Sequence, residues 1–207
     1  MTIKALFFDF GGVLLQFADG VDHKKLESAH RLEERTLMKC LYRDSRYLEF
    51  QVGACTHDEW QESIRTAAIA LIGEARATAV LADYENAERP LNQDLLGFIG
   101  RLRERGYKTG IISNTIPGMM DRLKTNIPHI LPLFDVFVGS GDIRLAKPDP
   151  AIFRHALREM GVPAEAATFT DDNRSFSDAA SSVGMHGFHF TGYDQFVTDL
   201  RSIGVDA

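Results

Sequence analysis

The chain has 207 residues, 44% of them hydrophobic and 25% charged, and 23 basic against 29 acidic side chains give a formal net charge of −6. That balance excludes a disordered or low-complexity chain, and no apolar run approaches the ~20 residues needed to span a membrane. Net acidity without a long Lys/Arg run argues against nucleic acid as the main partner. An anionic ligand then has to be held locally, by backbone amides, one or two cations or a metal. The N-terminal segment lacks the features of a signal peptide, and Cys40 and Cys55 match no metal or redox spacing. They read as two free thiols of a cytoplasmic protein.

Residues 3–9 form an almost continuous apolar run that ends in Asp9 and is followed by Gly11 and Gly12. A buried run that stops in glycines predicts a central strand of a parallel sheet. From residue 17 to residue 88 helical patterns prevail. Thr56 opens a capping-box spacing with Glu59, and Trp60, Ile64, Ala67, Ala68 and Leu71 recur at helical intervals up to Gly73. After Pro90 strands and helices alternate. Asn92 caps a helix that closes at Gly106, and residues 107–112 form the next strand, ending at Ser113 and Asn114. Residues 134–138 form a third strand. Asp149 caps a helix with Pro150 at its first position and Gly161 at its end. Residues 167–170 form a fourth strand, ending at Asp171 and Asp172, and residues 187–190 a fifth. This alternation predicts βαβ units and a Rossmann-like, doubly wound parallel sheet, with a helical insert of about 70 residues after the first strand.

Ligands of such sheets bind beyond the carboxyl ends of the strands, where the strand order reverses. Asp9, Ser113 with Asn114, Lys147, and Asp171 with Asp172 all fall on that edge. Singly, each has an ordinary reading as a turn former, helix cap, solvated loop lysine or surface charge. Together they fit one reaction class. Three converging carboxylates repel each other unless a cation sits among them, and all-oxygen ligation suits Mg²⁺. Amides near Gly11 and Gly12 can approach a phosphate closely. Ser113 can donate to it, Lys147 can neutralise it, and Asp9 can attack it to form an aspartyl-phosphate.

FFDFGGVLL, IISNT, AKPDP and FTDDNRSFSDAASSVGMHGFHF resemble, in the correct order, the four motifs of the haloacid dehalogenase-like hydrolase superfamily. The helical insert fits the position of that superfamily's cap in subfamily IA. The resemblance implies a core domain of residues 1–16 and 89–207 and an α-helical cap of residues 17–88. It implies Asp9 as nucleophile and Mg²⁺ ligand, a Gly11 carbonyl on the metal, and Asp172 completing the metal site with Asp171 behind it. Ser113, Asn114 and Gly12 would bind the transferring phosphoryl group, with Lys147 paired to it. The detail of DFGGVL, SNT and GMHGFHF looks most like the glucose-1-phosphatase kind of sugar-phosphate phosphatase.

Two positions depart from the common pattern. Gly11 stands where most phosphatases of the superfamily carry a second Asp that protonates the leaving group. Asp19, Asp22 and His23, at the start of the insert, are candidate substitutes. Phe176 stands where many relatives have Asn. The leading expectation is a Mg²⁺-dependent phosphatase of a small phosphorylated metabolite, acting as monomer or homodimer without nucleic acid or membrane. The alternatives are a metal-free hydrolytic dehalogenase and a catalytically weakened regulatory or binding protein. His186 and His189 read as strand residues rather than metal ligands. Arg43, Arg46 and Tyr47 read as a solvated helix end that could also face a substrate.

Overall fold

The computed structural model describes residues 2–206. Five strands, β1 (Ala5–Phe8), β2 (Lys108–Ser113), β3 (Val136–Gly139), β4 (Ala167–Asp171) and β5 (His186–His189), form one parallel sheet in the order β3-β2-β1-β4-β5. Each lies within two residues of its expected position. The order places β1 at the centre, and the winding direction reverses between β1 and β4, so the crevice of the sheet opens beside Asp9. Asp9 has left the strand but stays tied to it, its N–H donating to the Thr170 carbonyl at 2.8 Å.

The period of two in β1 divides the core. Leu6 and Phe8 face a cluster built with Leu95, Ile99 and Leu102 of the helix Gln93–Glu104 and Phe196 and Leu200 of the helix Tyr193–Ser202. Ala5 and Phe7 face the opposite cluster, with Ile152, Phe153 and Ala156 of the helix Pro150–Met160 and Ala180 of the helix Arg174–Ser182. The result is the doubly wound α/β sandwich expected of the pattern. Asn92 and Asp149 cap their helices through side-chain oxygens, as their spacing predicts.

The segment after β1 is helical, principally His23–Ala29, Tyr47–Gln51, His57–Ile72 and Glu74–Glu85. Thr56 and Glu59 complete the reciprocal capping box. Leu37, Leu41, Ile64 and Val80 make one apolar cluster here, and Cys40, Ala68 and Ala77 a smaller one. Leu71 is a correction to the expected apolar stripe: it is 45% exposed, on the far side of its helix. Both cysteines are free and buried. The chain enters and leaves this segment side by side, with the Gln16 N–H on the Pro90 carbonyl at 3.0 Å and the Asn92 N–H on the Leu14 carbonyl at 2.8 Å. No helix among the described residues is long and apolar enough to cross a membrane.

Phe8 holds the end of β1 in place. It is fully buried, with edge-to-face contacts to Phe134 and Phe196 at centroid distances of 6.5 and 5.9 Å. Phe8→Ala should cost about 3–5 kcal/mol, read as a large fall in the urea midpoint. A wild-type midpoint would show that this packing does not support the strand.

Candidate active site

Lys147 is the hub of the strand-end cluster. Its Nζ lies 2.8 Å from Asp9 Oδ1 and 2.6 Å from Asp171 Oδ2, and its side chain is fully buried. The Asp171 contact is a directed hydrogen bond. The Asp9 contact is not aligned as one, which leaves Asp9 Oδ1 without a hydrogen-bond partner. Proximity and charge hold it. Phe169 and Phe176 place their rings 5.2 and 5.1 Å from the same ammonium. Phe176, at a position where a polar residue was the common pattern, thus covers the lysine with an aromatic face.

Asn114 seats the lysine. Its Nδ2 donates to the Lys147 carbonyl at 2.9 Å, and its Oδ1 accepts from the Lys147 N–H at 2.7 Å. Both ends of the amide are therefore on the Lys147 backbone, whereas the sequence pointed this side chain at a phosphoryl group. The Lys147–Pro148 peptide is cis. Ser113, the last residue of β2, is buried and lines a cavity of about 500 Å³ together with Gly11.

Asp9, Asp171 and Asp172 bring one carboxylate oxygen each to within 4.8 Å of one another. One ammonium does not balance three carboxylates. Burial, and then the charge of Asp9, push the Asp171 carboxyl up to about 7, and the same causes raise Asp172. A cluster of hard oxygen donors with surplus negative charge is chemically suited to a divalent cation such as Mg²⁺. Asp171 Oδ2 is bound to Lys147 and its Oδ1 accepts the Asn173 N–H at 2.8 Å. Asp9 and Asp172 therefore have the freer oxygens.

The two glycines after Asp9 are there because neighbours occupy the space of a side chain. A Cβ on Gly11 would lie 1.8 Å from the Ala18 carbonyl oxygen. At Gly12, with φ +71°, it would lie 2.3 Å from Asp172 Oδ2. The Gly12 N–H, expected to face a phosphate, instead donates to the Phe17 carbonyl at 2.8 Å.

The residues just beyond Ala18 carry a second polar group. Asp19 Oδ2 accepts from Tyr42 Oη at 2.5 Å and Tyr84 Oη at 2.7 Å and pairs with His23 Nε2 at 2.8 Å. Burial raises the Asp19 carboxyl, but these donors outweigh it and hold it below its usual range. Asp19 is thus an anion saturated by donors, poorly suited to release a proton. Asp22 caps a helix through the Lys25 N–H at 3.0 Å. Of the arginine pair and Tyr47, Tyr47 lines the cavity, while Arg46 is paired with Glu49. Tyr42, Tyr84 and Trp60 also line it. Helical spacing assigned Trp60 to a core stripe, and nothing in the sequence singled out the two tyrosines.

Gly11→Asp would restore the usual acid only by displacing the turn at Ala18. The substitution should lower stability by about 1–3 kcal/mol, seen as a lower melting temperature. A wild-type melting temperature would show that the turn yields freely.

The family model described as a haloacid dehalogenase-like hydrolase matches residues 3–184. A sesquiterpene phosphatase of Aspergillus oryzae is 24% identical over 98% of this chain and 97% of its own length. The chain spans 36%, 62% and 19% of the length of three other curated relatives that it matches. Among solved structures, a haloacid dehalogenase family enzyme from Bacteroides thetaiotaomicron, in complex with magnesium and inorganic phosphate, superposes with a TM-score of 0.67 at 21% identity, over 92% of this chain and 94% of that one. An L-2-haloacid dehalogenase superposes with a TM-score of 0.61 at 23% identity, over 89% of this chain and 85% of that one. With the motifs in order, the sheet built as they require and the family model matched over most of its length, the chain belongs to the haloacid dehalogenase-like hydrolases.

Proposed function

We propose that the chain is a Mg²⁺-dependent phosphatase of small phosphate monoesters that works through an aspartyl-phosphate on Asp9. The observation that carries this reading is the convergence of Asp9, Asp171 and Asp172 around one buried lysine at the switch point of the sheet. A carboxylate displacement without metal has no need of three carboxylates. The Aspergillus oryzae relative, named as a phosphatase, and the solved neighbour with magnesium and phosphate support it.

In this scheme Asp9 and Asp172 would hold the cation through side-chain oxygens, with the Gly11 carbonyl beside them and Asp171 behind. Bound there, Mg²⁺ would offset the surplus negative charge and that of the phosphoryl oxygens. An Asp9 oxygen attacks phosphorus, and the bond from phosphorus to the ester oxygen breaks. The departing alcoholate takes up a proton. Water then attacks the phosphorus of the acyl phosphate, releasing inorganic phosphate and restoring the carboxylate. Lys147 and Ser113 stabilise charge on the phosphoryl group. Asn114 acts through Lys147, by fixing its backbone. The Phe10 and Gly11 amides are the ones this turn can offer the phosphate, since Gly12 is engaged. Residues 17–88 would serve as a cap over a core of residues 1–16 and 89–207. Gly11 leaves the departing oxygen with no carboxylic acid from the usual position. That makes good leaving groups the better substrates.

The dehalogenase reading draws on that same missing acid and on the structural likeness to a dehalogenase. Asp9→Asn should reduce phosphate release from phenyl phosphate to background while the far-ultraviolet spectrum is unchanged. EDTA should do the same to the wild type, and added Mg²⁺ should reverse it. Full activity in chelator, with halide released from 2-haloacids, would assign the chain to the dehalogenases.

Metal binding and stability should be linked through pH. The raised carboxyls of Asp171 and Asp172 favour the protonated form in the folded state. Stability from that form is complete below the unfolded carboxyl range and declines as pH rises through the folded value of about 7 for Asp171. In chelator the melting temperature should therefore be lower at about pH 8 than at about pH 5. A cation binds the deprotonated cluster, so Mg²⁺ should raise the melting temperature more at the higher pH. An equal Mg²⁺ effect at both would mean that these carboxylates do not hold it.

A further inference from the structure

We infer that the substrate is a phosphate monoester of an apolar alcohol, with a hydrocarbon chain or ring system where a sugar phosphate would have its hydroxyls. This deepens the phosphatase reading and rests on it. The observation is the chemistry of the 500 Å³ cavity that meets the strand ends at Gly11 and Ser113. Leu15, Tyr47, Trp60, Leu91, Met119 and Leu123 form much of its wall. Its size is that of a small-molecule site.

The polar side chains of the lining are mostly engaged by other groups of the protein. Tyr42 and Tyr84 commit their hydroxyls to Asp19 Oδ2, which leaves the cavity with rings and one saturated carboxylate. The Arg89 guanidinium donates to the Ala87, Tyr84 and Glu85 carbonyls at 3.0, 3.2 and 3.3 Å. Arg122 donates to the Pro117 carbonyl, to the Ile116 carbonyl at 2.8 Å and to Thr115 Oγ1 at 3.2 Å. Asn114 is on the Lys147 backbone. Among the described residues, the Tyr47 hydroxyl faces Gln51, and Ser113, Asn126 and the buried indole N–H of Trp60 are lining groups left without a protein partner. Ser113 belongs to the phosphate end.

A hexose placed here would bring several hydroxyls and find almost no side chain to receive them. Each unmatched hydroxyl loses its water without replacement. A hydrocarbon group loses nothing of that kind and gains from leaving water. Burial of a methylene is favourable enough to tighten binding about three- to fourfold. Binding should therefore climb steadily along an alkyl series until the chain fills the cavity.

Trp60, the single tryptophan of the chain, reports on the cavity directly. Its fluorescence in the wild-type protein with Mg²⁺ can be titrated with methyl-, butyl- and hexylphosphonate, which cannot be hydrolysed at an ester bond, and with glucose 1-phosphate. In parallel, phosphate release is measured from ethyl, butyl and hexyl phosphate and from glucose 1- and 6-phosphate. Affinity and kcat/KM should rise about three- to fourfold per methylene, with glucose 1-phosphate binding no tighter than the shortest alkylphosphonate and glucose 6-phosphate, a primary-alcohol ester like the alkyl series, turned over no better than ethyl phosphate. A flat alkyl series, glucose 1-phosphate bound more tightly than hexylphosphonate, or glucose 6-phosphate turned over faster than hexyl phosphate would overturn it while leaving a phosphatase. Phosphonate affinity that climbs with chain length, without phosphate release from any ester, would uphold the apolar ligand and reject the phosphatase.

Discussion

One buried ammonium orders the functional end of this molecule. Lys147 sits fully out of water between Asp9 and Asp171, where an unpaired charge would be strongly unfavourable. Its two carboxylates come from the ends of neighbouring strands, β1 and β4. Its backbone is clamped by Asn114, beyond the end of β2 on the other side of β1, and its ammonium lies over the rings of Phe169 and Phe176. The central strands thus meet at one cation. The pairing is incomplete, because Asp172 adds a third carboxylate within reach. The surplus negative charge is what suits the site to a divalent cation.

The second constraint is steric. The chain leaving β1 doubles back so that the Ala18 carbonyl fills the space a side chain at position 11 would need. The same turn takes up the Gly12 amide through Phe17. The missing acid is therefore built into the packing of the neck, and its neighbour Asp19 is occupied with two tyrosines and a histidine. A site arranged in this way loses proton-donating power but gains a wall whose polar groups are internally satisfied. In the proposed phosphatase, weak help for the leaving group and the apolar lining follow from one local arrangement.

Much of this could be read from residue order. Strands β1, β3 and β4 are apolar runs closed by Gly or by carboxylates, and the helices carry Thr56, Asn92 and Asp149 at their starts, so local chemistry and global fold agree. Asp9, Ser113, Lys147, Asp171 and Asp172 were readable as a group because a parallel sheet gathers its strand ends on one edge. The direction of a side chain was not readable. Asn114 follows a strand like a phosphate ligand, yet its amide is drawn to a nearer peptide. The Gly12 amide has a carbonyl acceptor five residues on, which residue types do not reveal. Tyr42, Trp60 and Tyr84 obey helical spacing, which assigns aromatics to a core by default, and only the packing of the segment shows them on a cavity. Leu71 fits the same spacing yet is 45% exposed, while Ile72 beside it packs against the apolar clusters.

The proposed mechanism requires Asp9 to carry the phosphoryl group. A single-turnover reaction with Mg²⁺ and an activated phosphate ester, quenched in acid and treated with borohydride, converts an aspartyl-phosphate into homoserine that peptide mass spectrometry can locate. Homoserine at position 9, formed only when both ester and Mg²⁺ are present, is the predicted result. Phosphate release with an unmodified Asp9 at every quench time would contradict it.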